Sequence, residues 1–137
     1  MSKASMQPPG NPFPPFTFRA EAASVSIPLT RGYGVMAGTA EDQVKVPTGA
    51  GVRCKGVVSE TQNVANAPVG IVYFGPCIGI AGQAAITPDM ELMLDADGKF
   101  VTAEGDAANE RAGRAMSSAA AEDDEFIVFV NPVKLWT

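Results

Sequence analysis

At 137 residues the chain has length for one ordinary domain, and its 46% hydrophobic but 7% aromatic composition leaves Val, Ile, Ala, Leu and Met to build the core. A net charge of -5 opposes sequence-independent nucleic-acid binding, which relies on Lys and Arg neutralising phosphates. The absence of histidine removes the commonest general base and metal ligand, and with it every Ser-His-Asp or Cys-His arrangement.

No stretch approaches the roughly 18 continuous apolar residues of a membrane span, and MSKASMQPPG lacks the basic-then-apolar order of a secretory signal. The expectation is a soluble protein made in a cytoplasm, with no membrane partner. Cys54 and Cys77 have neither CxxC spacing nor histidine to join them, so they are read as reduced, half-buried strand residues rather than metal ligands.

Residues 1–16 are expected to form an extended Pro/Phe arm, with a disordered terminus as the competing reading: five prolines precede Phe16, and proline lacks the amide hydrogen that a helix or central strand would use. In PFPPFTF, Phe13, Phe16 and Phe18 stand on a stiff segment that loses little entropy on docking, which makes them candidate partner-binding residues.

Residues 17–137 read as a single barrel-like domain. The 14 glycines and 11 prolines punctuate short β-prone runs. Ten strands are expected: Phe18–Ile27, Gly34–Met36, Gln43–Val46, Val52–Ser59, Val69–Phe74, Ile78–Ala81, Glu91–Leu94, Lys99–Thr102, Ala112–Ser117 and Glu125–Val130. The fold class is therefore all-β, a compact β-barrel or β-sandwich of about ten short strands. Helix-forming composition appears in Ser117–Ala121, which spans at most two turns.

An internal duplication underlies this rhythm. The segment from Lys45 to Pro76 aligns with that from Lys99 to Pro132, each reading as strand, loop, a Gly-led strand at Gly56 or Gly113, polar loop and apolar strand. Two such units are expected to close on each other around one shared core without leaving free edges.

Motifs that could carry chemistry resolve into turns. GYGVMAG (Gly32–Gly38) has a GxGxxA spacing, but no helix pattern follows to receive a pyrophosphate, so a tight turn is expected. DADGK (Asp95–Lys99) lacks the ligand spacing of a calcium loop and reads as a hairpin turn on Asp97-Gly98. Between Ala85 and Val130 eleven acidic residues face three basic ones, predicting an acidic face with an exposed run at Glu122–Glu125. Tyr33, Tyr73, Phe74, Phe100, Phe126 and Phe129 fall mostly within apolar strands, where the core is their expected place. Trp136, one residue from the chain end, is a fourth candidate partner-binding residue, unless the tail folds back onto its own barrel.

The order of FRAEAASVSIP, AEDQVKVPTGAGVRCKGVVSE, GPCIGIAGQAAITPDMELMLDADGKFVTAEGD and AGRAMSSAAAEDDEFIVFVNP resembles the small decoration or cement proteins of tailed-bacteriophage heads, over roughly residues 17–132. That resemblance implies a non-enzymatic virion protein without cofactor, often a homotrimer, on the outside of an icosahedral capsid. It would bridge major capsid protein subunits and stiffen the shell. The readings it competes with are a small-ligand or carbohydrate-binding barrel and a tail-associated, receptor-binding virion protein.

Overall fold

The computed structural model describes residues 16–24, 26–103 and 110–133. Ten strands are present and no helix among the described residues: β1 Phe16–Ala20, β2 Gly34–Ala37, β3 Gln43–Lys45, β4 Gly56–Val58, β5 Pro68–Val72, β6 Gly75–Ile80, β7 Glu91–Leu94, β8 Phe100–Thr102, β9 Arg111–Ala115 and β10 Glu125–Val133. The all-β class expected from the sequence is what the chain adopts. Residues 1–15 of the expected arm lie outside the described residues; Phe16 already opens β1.

The first five strands close into a barrel in the order β1-β3-β2-β4-β5, with β1 parallel to β3 and antiparallel to β5. The last five form a sheet in the order β6-β10-β9-β7-β8. Advancing each barrel strand by five in the chain reproduces the second sheet: β1-β5-β4-β2-β3 becomes β6-β10-β9-β7-β8. The parallel β1–β3 pair that closes the barrel has its counterpart in the parallel bridge Ala81↔Phe100, which brings the end of β6 to β8.

The correspondence extends to the loops. Leu29 and Gln62 exchange two backbone hydrogen bonds, as do Ile86 and Ala119. The Asn66 amide donates to the Ala20 carbonyl and the Asp123 amide to the Ala81 carbonyl, and both donors are left-handed, at φ 63° and 72°. The duplication therefore covers β1–β5 against β6–β10, further than the segments from Lys45 and Lys99 suggested.

The single shared core is corrected by the structure. Ala20, Leu29, Val35, Val44, Val58, Val69 and Ile71 form one buried cluster inside the barrel, while Leu92, Leu94, Phe100, Phe126, Val128 and Val130 belong to another. Consecutive side chains of a strand point to opposite faces, and β4 is buried on both. Val58 consequently fills the first core and Val57 the second, where Cys54 joins it. Each unit thus closes around its own core, and β4 binds the two.

Three of the differences from expectation have clear local causes. The first strand ends at Ala20 rather than Ile27, because Ala22 turns at φ 57° and Ser24 Oγ accepts the Ile27 amide at 3.0 Å. Residues 52–55 stay outside β4, with the Lys55 amide donating to the Val35 carbonyl at 2.7 Å. Ser117–Ala121 is not helical: Ala119 pairs with Ile86, and Ser117 Oγ accepts the Ile127 amide at 2.8 Å, so tertiary pairing overrides a weak propensity.

Edge protection is explicit on β8. Where its ladder runs out beyond Ala81, the Gln83 side chain takes over, accepting the Thr102 amide at 2.9 Å and donating to Thr102 Oγ1 at 2.8 Å. A paired edge of this kind offers no template to another chain.

Candidate interaction surface

The pairing registers bring the two ends of the described chain together. Phe16 stands opposite Ile71 and Gly75 opposite Val130, so the start of β1, the end of β5, the start of β6 and the end of β10 meet at one pole around Tyr73 and Phe74. At this pole Phe18, Cys54, Lys55, Tyr73 and Pro132 wall a mainly apolar cleft of about 300 Å³. Lys55 Nζ lies 5.4 Å from the centre of the half-buried Phe18 ring, within cation–π range. Phe74 meets Phe129 edge to face with centroids 5.2 Å apart, which ties the β5–β6 junction to β10.

Of the four residues singled out in the sequence, Phe16 opens β1 and Phe18, its third residue, is half-buried beside Lys55. Phe13 and Trp136 lie outside the described residues. Lys55 and Pro132 were not singled out in the sequence as interaction residues, and Tyr73 was expected in the core. Tyr73 sits at the end of an apolar run where a core position is the default, and nothing local announces that Lys55 reaches across to β1.

The opposite pole of the barrel carries a second feature. Ile27 and Val64 flank the Leu29↔Gln62 bridge at corresponding positions and are 62% and 57% exposed. The corresponding positions beside Ile86↔Ala119 are Ala84 and Ala121, so this apolar pair belongs to the first unit alone. A cleft of about 290 Å³ next to it runs from Ile27 and Pro28 past Tyr33 and Val46 to Asp97 and Lys99.

The remaining motifs have structural roles. GYGVMAG is a turn at Gly32, φ 88°, running into β2. DADGK is the β7–β8 hairpin turn: Asp95 Oδ1 accepts the Asp97 and Lys99 amides, each at 2.9 Å, and Gly98 is left-handed at φ 97°. The acidic run is exposed yet largely partnered. Lys99 Nζ reaches Asp123 at 2.7 Å and Glu122 at 3.6 Å, Arg31 reaches Glu125 at 3.2 Å, and Asp124 accepts the Ala121 amide at 3.0 Å. The hydrogen bond to Asp123 raises the Lys99 pKa.

Cys54 is buried and Cys77 partly so, both free thiols, and burial pushes each up to about 12. Cys54 lies before β4 rather than in a strand, and Cys77 lies on β6. Among the described residues no group of three His, Cys, Asp or Glu side chains is arranged to hold a metal ion.

Fold and surface define an all-β protein of two repeated five-stranded units with an apolar cleft to which β1 and β10 both contribute. No family model and no curated protein matches the chain. Among solved structures, the N base of head fiber gp8.5 of bacteriophage phi29 is similar to it, with a TM-score of 0.64 and 18% identity over 90% of this chain and 98% of that one. At this identity the likeness establishes a common fold.

Proposed function

We propose that this chain is a non-enzymatic structural protein of a tailed-phage virion that sits on the outside of the icosahedral head, as a homotrimer, and bridges major capsid protein subunits. The observation that carries the reading is the fold it has in common with a phage head fiber base, along almost the whole length of both chains. The phrases that resemble phage decoration proteins support it independently.

The work of such a protein is energetic. A copy that binds the assembled shell but not separated subunits stabilises the shell by mass action. A trimer engaging several capsomer sites gains effective concentration, so a modest affinity per site suffices for tight attachment. Residues 1–15, which include Phe13, supply a proline-rich segment suited to docking on a neighbouring subunit.

A second reading, also favoured by the phi29 likeness, is that the chain forms the base on which a head fiber stands. Both readings are tested by light scattering on the purified protein, then co-sedimentation with heads lacking it. A trimer pelleting at a fixed ratio to major capsid protein is the expected result, and deletion of residues 1–15 is expected to weaken pelleting without loss of fold. A monomer left in the supernatant overturns both readings and returns weight to a ligand-binding barrel.

A further inference from the structure

The duplication supplies a comparison inside one chain: where two units fold alike, a position that differs between them answers to something other than the fold. The loops beside the paired bridges allow that comparison residue by residue. The Ala67 amide donates to the Val64 carbonyl at 3.2 Å in the first unit, and the Asp124 amide to the Ala121 carbonyl at 3.2 Å in the second. With Asn66 and Asp123 matched by their bonds to Ala20 and Ala81, these two segments are the same turn.

Their chemistry is opposite. Positions 65–68 read ANAP, and their counterparts 122–125 read EDDE. Residues 22–30 and 61–67, which carry Ile27 and Val64, contain no charged residue. The second unit folds with Ala84 and Ala121 where the first leaves the larger Ile27 and Val64 exposed, so the turns do not need that bulk. Both side chains stand on turns fixed by hydrogen bonds. Ser24 Oγ accepts the Ile27 amide at 3.0 Å, and Gln62 Oε1 accepts the Val64 amide at 3.1 Å, so little freedom is lost when the pair docks.

We infer that this uncharged pole of the first unit is the surface through which copies of the chain associate, Ile27 and Val64 of one copy packing against the same residues of its neighbours around a symmetry axis. The inference deepens the homotrimer proposed above and rests on that reading for the association itself. Charge selects the occupant. The chain carries a net charge of -5, so copies that meet by the acidic turn of the second unit bring like charges together, whereas the uncharged pole meets its own kind without that cost. A basic partner would gain from the acidic turn and nothing from this one. Depletion of charge at the centre of a contact is also what a protein interface requires.

Light scattering after size exclusion, over a dilution series, is run on the parent and three variants with circular dichroism as the check on folding. Ile27→Ala/Val64→Ala installs the residues that the second unit already has, so it keeps the fold, and it is expected to weaken association at least about tenfold. Ile27→Glu/Val64→Glu is expected to weaken it at least about a hundredfold, leaving single copies where the parent is assembled. Ala84→Glu/Ala121→Glu places the same charges at the counterpart positions and is expected to leave the oligomer intact. Neither Ile27 nor Val64 belongs to a buried cluster, so the stability of a single copy, read at a dilution that separates the parent, should be unchanged in the alanine variant.

An oligomer of parental strength in both Ile27/Val64 variants overturns this surface and leaves the homotrimer standing. A parent that is monomeric throughout overturns both. Equal weakening by the Ala84/Ala121 charges overturns the inference by assigning the effect to net charge. Variants that stay assembled but no longer pellet with heads overturn the second copy as occupant and give the surface to a head protein.

Discussion

Gly56 and Gly113 make the same contact in the two halves of the chain. A Cβ on Gly56 would stand 2.7 Å from the Val72 carbonyl oxygen, and one on Gly113 would press against the Phe129 carbonyl oxygen. Each glycine belongs to the fourth strand of its unit and faces the backbone of the fifth, so the close approach of these strands is a property of the repeat.

Substituting either glycine should therefore cost stability out of proportion to one methyl group. Gly56→Ala and Gly113→Ala are each expected to lower unfolding free energy by about 2 kcal/mol or more, because the obstructing atom is backbone and cannot rotate away. Urea unfolding followed by circular dichroism checks this. Losses below about 0.5 kcal/mol at both sites would mean the strands can separate freely.

The hairpin turn depends on one carboxylate. Asp95→Ala leaves the Asp97 and Lys99 amides without their acceptor and is expected to cost about 1–2 kcal/mol. Asp95→Asn keeps an acceptor oxygen and should recover at least half of that. Equal losses in the two variants would assign the effect to charge rather than to the turn.

The second core should be sensitive where the first unit's exposed pole is not. Phe100 is fully buried and packs edge-on against Phe126 with centroids 5.9 Å apart. Phe100→Ala is expected to cost about 3–5 kcal/mol, whereas Ile27→Ala should stay within about 0.5 kcal/mol. Thermal melts of the pair decide it, and a costly Ile27→Ala would show that this side chain is covered in solution.

Alkaline pH should weaken the fold through the cysteines. Burial holds Cys54 and Cys77 as neutral thiols up to about pH 12, against an ordinary value of 9.0 in the unfolded chain. Between these values the folded protein binds more protons than the unfolded one, so the thiol contribution is complete below pH 9, declines as pH rises and is gone by pH 12. Melting midpoints from pH 8.5 to 11 should accordingly fall more steeply for the parent than for the Cys54→Ala/Cys77→Ala variant. Parallel slopes would refute the assignment.

Much of the architecture was legible in the chain because β signals are local. All ten strands appear near their expected positions, and Glu91–Leu94 matches to the residue. Alternation and turn residues act within a few positions of each other, and Asp97-Gly98 marks its hairpin without reference to anything distant. The duplication could be glimpsed from Gly56, Gly113 and the prolines that follow because these constraints recur in both units.

Other features depended on contacts between residues far apart in sequence. Whether two units enclose one core or two is decided by which way Val57 and Val58 face, and that follows from β4 lying between two packed layers rather than from its composition. The cleft joins Phe18, Lys55, Tyr73 and Pro132, and no periodicity links positions so widely spaced. Charge and composition by themselves determined an acidic, histidine-free chain, and local alternation with turn residues its all-β class. Tertiary pairing decided that Lys99 and Arg31 would meet most of its acidic run, and that the start of β1 and the end of β10 would meet at one pole. Strand register sets those distances, and register is a property of paired strands, which no single segment carries.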